Sequence, residues 1–174
     1  MTTAPPLPSC RLDALPADSV QELIAHAPLP PTAPWPPQPG ALVRDPGGMP
    51  QVLHFAPGRW LLTGAAAGAG ADVAAEADYA RRVDVTGKWQ AYALTGAGAA
   101  TLLANTLSPE AVLLGRQCAA VSLFDCPCVL ARIEAGFAIW VQASYAAHLR
   151  QLCQSLGAQD TAPGADALAA DFYL

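Results

Sequence analysis

The sequence predicts an α+β domain: an antiparallel sheet with helices packed on one face. Three observations carry this. Short apolar runs bounded by Pro-Gly, Asp-Cys-Pro and Glu-Ala-Gly turns read as strands joined in hairpins. Between them lie Ala/Leu segments whose apolar residues recur at the helical spacing i, i+3, i+4, i+7. The resulting order, β–β–α–β–β–α–β–β–β–α, fits an antiparallel sheet with helices set to one side.

Residues 1–45 differ from the rest and read as a Pro-rich N-terminal arm. Pro16, Asp18 and Ser19, followed by Val20, Leu23 and Ile24, predict a capped, short amphipathic helix. The run APLPPTAPWPPQPG over 27–40 must be extended or polyproline-like, because proline fixes φ and donates no hydrogen bond; it cannot join a sheet interior. Trp35, alone among prolines, fits a docked arm as well as a linker.

The globular domain is expected over 46–157. Residues 51–55 and 59–63 form a hairpin about Pro57-Gly58. In the low-complexity stretch that follows, 71–80 is expected to be helical and the Gly-rich residues before it a loop. Strands 82–85 and 89–95 come next, with Gly96 and Gly98 in the exit turn. A helix then places Ala99, Leu102, Leu103 and Thr106 on one face. Ser108 and Pro109 have the chemistry of an N-cap and first helical position, for a short turn ended by Gly115. Strands 117–123, 129–133 and 137–141 follow. The last helix is capped by Ser144, carries Tyr145, Leu149, Leu152 and Leu156 as its apolar stripe, and stops at Gly157. Residues 158–174 form a tail with an apolar end, Phe172-Tyr173-Leu174.

Composition bounds the function. A chain of 174 residues fits one domain with a real core. It is 53% hydrophobic, with mean hydropathy +0.28, although much of the excess is Ala, which adds little burial energy. Charged residues make up 13%, a thin coat better suited to burial against a partner than to a free monomer. A net charge of −5 and a pI near 4.9 argue against nucleic-acid binding, which needs clustered Lys and Arg. The N-terminus shows no basic n-region and no apolar h-region, and no apolar run reaches membrane-spanning length. A cytoplasmic location is therefore expected, with Cys10, Cys118, Cys126, Cys128 and Cys153 reduced.

Chemistry-bearing residues are sparse. Cys126-Pro127-Cys128 is one closely spaced thiol pair, with Cys118 able to face it across a hairpin; a structural zinc site normally shows two such pairs. His26, His54 and His148 are scattered, with no Ser or Cys nucleophile motif beside them. The glycines of 64–70 and 96–98 lack the spacing and the Lys-Ser/Thr of a phosphate loop; where G-x-G-x-x-G needs its third glycine, the chain has Thr101. Asp84, Glu110, Asp125 and Glu134 form no acid/base pair in sequence. No catalytic, cofactor-binding or metal residue is therefore assigned.

Four segments nevertheless resemble a known family. Pro57-Gly58-Arg59-Trp60-Leu61-Leu62 is similar to "G-P-D-E-W-L-L". Val83-Asp84-Val85-Thr86, with Leu94, Gly96, Ala99, Leu102 and Leu103, is similar to "D-x-S … L-x-G-x-x-A-x-x-L-L". Gly115-Arg116-Gln117-Cys118-Ala119 is similar to a "G-x-x-A" strand start, and 137–149, FAIWVQASYAAHL, to "F-x-L-x-V-x-R-S-Y-A-x-x-L". Their order and spacing over 52–156 resemble the gamma subunit of heterotetrameric sarcosine oxidase, a reduced version of the folate-binding domain of the aminomethyltransferases (T-proteins). The departures matter. Where T-proteins read L-L-A-N-D, with a folate-contacting Asp, this chain has Leu102-Leu103-Ala104-Asn105-Thr106. A T-protein Tyr corresponds to Cys118 or a neighbour, the "V-x-N-A/S" Asn corresponds to Gln142, and "K-G-C-Y-x-G-Q-E" is absent.

The resemblance implies a non-catalytic gamma-type subunit in an oxidoreductase complex of one-carbon metabolism. Its alpha, beta and delta partners would hold FAD, FMN, NAD and tetrahydrofolate and oxidatively demethylate sarcosine or a related N-methyl amino acid. The alternatives are a free-standing tetrahydrofolate-dependent aminomethyltransferase-like protein, which Thr106 argues against, and a small-ligand or metal-binding module using Cys126 and Cys128.

Overall fold

Two sheets stack face to face and helices cover the outside of the larger one. This computed structural model describes residues 9–16, 19–27, 35–68 and 79–160. The strands are β1 (Cys10–Ala14), β2 (Val20–Ala25), β3 (Leu42–Arg44), β4 (Pro50–Ala56), β5 (Arg59–Thr63), β6 (Ala80–Asp84), β7 (Trp89–Thr95), β8 (Cys118–Leu123), β9 (Cys126–Ile133), β10 (Gly136–Gln142) and β11 (Ala158–Asp160). The six-stranded sheet has the order β11-β1-β7-β10-β9-β8 and the five-stranded sheet β3-β4-β5-β2-β6. Neighbours are antiparallel except β1 and β11, which run parallel. The helical segments are α1 (Ala65–Gly68), a 3₁₀ turn (Thr86–Lys88), α2 (Ala99–Leu103), α3 (Pro109–Val112) and α4 (Ala143–Ser155).

Side-chain alternation explains the layers. In β10, Phe137, Ile139 and Val141 point to the helices, while Ala138 and Trp140 point to the second sheet. In β9, Cys126, Cys128 and Leu130 share the helix side, and Val129 and Ala131 the sheet side. Both faces are covered, so β10 reads as one apolar run rather than an alternation. Val20, Leu53, Phe55 and Leu61 come from the five-stranded sheet to complete the inter-sheet core. Its outer face carries Leu23, Val52, Trp60 and Leu62, packed under Trp35 and Ala67. Pro127 has no N–H to give a ladder, and the β9–β10 pairing reaches only Cys128, the residue after it.

Several expected elements hold. The 89–95 strand is β7, the hairpins among 117–142 are β8–β10, and Ser108 caps α3 by accepting the Ala111 N–H, with Pro109 at the first helical position. The α4 helix ends where Gly157 adopts φ +97°.

The N-terminal reading needs correction. Residues 19–24 are not a helix; Val20–Ala25 form β2, hydrogen-bonded between β5 and β6. Val20 faces the inter-sheet core while Leu23 and Ala25 face the outer cluster. A strand buried on both faces loses its period of two, and the spacing of Val20, Leu23 and Ile24 mimics a helical stripe. Nor do the described parts of 1–45 stand apart as an arm: β1 lies inside the six-stranded sheet and β3 edges the other. The tail likewise begins as β11.

Smaller corrections follow the same physics. Ala65–Gly68 is a helical turn where a loop is expected. The helix expected over 71–80 lies outside the described residues except at its end, where Ala80 starts β6. Ser144 does not cap α4, because β10 runs directly into the helix from Gln142. The buried face of α4 is Leu149 and Cys153, whereas Tyr145 is 40% exposed. The proline run is described from Trp35 onward, and residues 28–34 lie outside. A single sheet with one helical face thus becomes a two-sheet stack with helices outside.

Candidate functional site

The segment that carries the resemblance is used structurally. Thr106 lies after α2, where its Oγ1 accepts the Phe124 N–H at 3.0 Å. Phe124 and Asp125 form the two-residue β8–β9 turn with φ +50° and +63°, so the hydroxyl pins a strained hairpin tip. Asp84 Oδ1 accepts the Thr86 N–H at 3.0 Å and its hydroxyl at 2.7 Å, and these bonds hold the exposed carboxyl below its usual range. Gly96 has φ +99°, and a Cβ there would lie 2.8 Å from the Ser9 carbonyl oxygen. Close packing against the chain entering β1 explains this glycine without a phosphate.

The thiols separate. Cys118 faces the inter-sheet core, whereas Cys126 and Cys128 face the helices, so Cys118 does not meet them across the hairpin. Burial pushes Cys118, Cys128 and Cys153 up to about 12, and raises Cys10 and Cys126 as well. All five are free and buried. A protonated, enclosed thiol is a poor nucleophile. Among the described residues no three His, Cys, Asp or Glu side chains converge on a point where a metal could sit.

Of the histidines, His26 and His148 are exposed and His54 is 3% exposed. The His54 ring stacks on Trp60 with centroids 4.0 Å apart. Its Nδ1 lies 3.0 Å from the Pro36 carbonyl oxygen, which accepts the Trp60 Nε1–H at 3.0 Å as well. A carbonyl only accepts, so Nδ1 carries the proton and Nε2, enclosed and without a partner, is a bare acceptor. Burial lowers the pKa of this imidazole, against hydrogen bonds that raise it.

The strongest electrostatic feature has no signal in the sequence pattern. Glu22, on β2, is 3% exposed and accepts from Lys88 Nζ at 2.8 Å, Arg59 at 2.9 Å and Trp89 Nε1 at 3.0 Å. Burial pushes its carboxyl up; the bonds from Lys88, Arg59 and Trp89, with the Lys88 charge, outweigh that and leave it below its usual value. The donors stand 37, 66 and 67 residues away along the chain, so only folding assembles the group.

Beside it, at one end of the inter-sheet core, a cleft of about 180 Å³ opens between the sheets. Trp89, Trp140, Leu15, Met49, Asp45 and Gln51 are among its walls. Asp45 Oδ1 accepts the Met49 N–H at 2.8 Å, closing the tight turn between β3 and β4. No ion pair reaches the Asp45 carboxylate among the described residues. Sequence reasoning passed over Asp45, Trp89 and Trp140 because they come from three separate strands or turns and form no local motif.

No helix among the described residues is long and apolar enough to cross a membrane. No protein-family model matches this chain, and no curated protein matches it in sequence. Among solved structures it is similar to a chain of heterotetrameric sarcosine oxidase from Corynebacterium sp. U-96, in complex with pyrrole 2-carboxylate. The TM-score is 0.61 at 19% identity, and the match covers 88% of each chain. Equal coverage means that the neighbour is a chain of nearly this length, without a large additional domain. Identity this low speaks to fold alone, and the fold is similar to that of a chain of a heterotetrameric oxidase.

Proposed function

We propose that this chain is a non-catalytic, gamma-type subunit of a sarcosine oxidase-like flavoenzyme complex, with a structural role in assembly. The observation that carries the proposal is the shared fold over 88% of both chains, matched to one chain of a multi-subunit oxidase. The use of side chains supports it. Thr106, where folate-using relatives carry an acid, is engaged with Phe124, and the thiols are enclosed and protonated. A chain in which only 13% of residues are charged suits cover by larger neighbours. Alpha, beta and delta partners would carry FAD, FMN, NAD and tetrahydrofolate and oxidise an N-methyl amino acid, with this chain holding part of the alpha surface.

Co-expression with candidate large flavoprotein subunits tests the reading. The chain is expected to co-elute with them on size exclusion, and the complex lacking it to be less stable or less active. Clean separation, with full activity and stability of the remaining complex, overturns it. Saturable micromolar tetrahydrofolate binding by the isolated chain would favour the aminomethyltransferase-like alternative instead.

A further inference from the structure

The geometry points to a second role, independent of assembly: the cleft between the sheets is a binding site for a small organic cation of the methylated-ammonium type. Its size fits. A cavity of about 150 Å³ accommodates a benzene-sized molecule, and this one measures about 180 Å³.

Its chemistry is selective. Trp89 and Trp140 bring two indoles, and Leu15 and Met49 add apolar wall. Indole faces attract cations within about 6 Å of the ring centre. Trp89 already holds one in this way, with Lys88 Nζ 5.3 Å from its ring. At the cleft stands Asp45, a carboxylate with one oxygen engaged by the Met49 N–H and no counter-ion among the described residues. The adjacent Arg44 does not neutralise it, because its guanidinium is turned to the carbonyls of Gly48 and Arg132. Lys88 and Arg59 are committed to Glu22.

Trp140 supplies the second observation. It is 3% exposed, and its indole N–H makes no hydrogen bond among the described residues. A donor that solvent can still reach is free to take an acceptor from water or from a ligand. A cleft with two indoles, an unpaired carboxylate and a free donor suits a compact cation carrying an acceptor group better than a neutral molecule or an anion.

The test uses the full chain, labelled with ¹⁵N, and reads the indole N–H resonances of its four tryptophans. Trp140→Phe assigns the Trp140 signal. Tetramethylammonium is titrated against tert-butyl alcohol, a neutral molecule of similar shape. The Trp140 and Trp89 signals are expected to shift saturably with the cation, and tert-butyl alcohol to bind roughly three- to thirtyfold more weakly. Asp45→Asn, whose amide oxygen still accepts the Met49 N–H, is expected to weaken the cation by a similar factor while leaving the other indole signals in place. Equal binding of the neutral molecule, undiminished binding by Asp45→Asn, or no saturable shift overturns the site. The assembly reading is untouched by any of these results, because it is measured by co-elution.

Discussion

At the scale of single residues, two buried polar side chains govern the response to acid. His54 is held neutral by burial, with its pKa below the ordinary histidine value. An unfolded histidine titrates near 6.5. The contribution of His54 is therefore complete above about pH 6.5 and is lost as the pH falls through the folded value. Protonation would place a charge on this enclosed ring, stacked on Trp60. His54→Phe keeps the stack, removes the titration and gives up one bond to Pro36, at about 1 kcal/mol near pH 7. Melting temperatures between pH 7 and 5 are expected to fall more steeply in the wild type than in this variant. Parallel curves would show that His54 does not titrate there. Glu22 acts in a lower window. Its folded pKa lies below the unfolded one, so its contribution is present above about pH 4.3 and disappears as the pH falls through the folded value. Glu22→Gln keeps an acceptor for Trp89 but loses the charge. Lys88 and Arg59 are 42% and 44% exposed and can turn to water, which limits the loss to about 1–3 kcal/mol. Urea unfolding is expected to show that deficit at pH 7 and its narrowing as the pH falls below about 4.3.

At the scale of elements, the β8–β9 hairpin stores strain where the chain could have avoided it. Two-residue turns of this kind favour Asn-Gly, because both central residues need positive φ. Here they are Phe124 and Asp125. Phe124 packs against the helix-side core and has its N–H held by Thr106, so it has a reason to stay. Asp125 is exposed, so Asp125→Gly is expected to raise stability by about 0.5–1 kcal/mol, measured by chemical denaturation. An unchanged or lower midpoint would mean that its side chain stabilises the turn in another way. Thr106→Val, in contrast, leaves the Phe124 N–H without its partner and should cost about 1–3 kcal/mol. What the sequence showed and hid follows from the same local rules. Hairpins such as β9–β10, and the Ser108–Pro109 cap, are written in neighbouring residues and were legible. β2 was not, because its apolar positions are divided between two cores. Glu22, inside that misread strand, could not be seen as a charge centre, since each of its donors lies at least 37 residues away. The cleft was invisible for the same reason, its walls being distant in the chain.

At the scale of the whole molecule, one glycine joins the two sheets, and its conformation decides how firmly they hold. The Gly40 N–H donates to the His54 carbonyl at 2.6 Å on the five-stranded side, and its own carbonyl accepts from Gln117 at 2.7 Å and Cys118 at 3.1 Å at the start of β8. The residue sits at φ +93°, and a Cβ there would lie 2.8 Å from Arg116 Cγ and 2.9 Å from Arg116 Cβ. Gly40→Ala therefore meets two penalties, backbone strain and a clash that can be relieved only by moving Arg116 or the clamp. Gly48 is a matched control: it also has positive φ, +82°, but a Cβ there would touch nothing within 4 Å. Gly48→Ala should cost about 1 kcal/mol from strain alone. Gly40→Ala should cost about 2–4 kcal/mol, which for a domain of this size lowers the melting temperature by roughly 5–15 °C. The excess over the control measures the clamp, because strain is common to both. Amide exchange locates it: protection in β4 and at the start of β8 is expected to fall together in Gly40→Ala and to be retained in Gly48→Ala. Equal melting temperatures for the two variants would mean that the sheets are held by their apolar core, with Gly40 a passive turn between them.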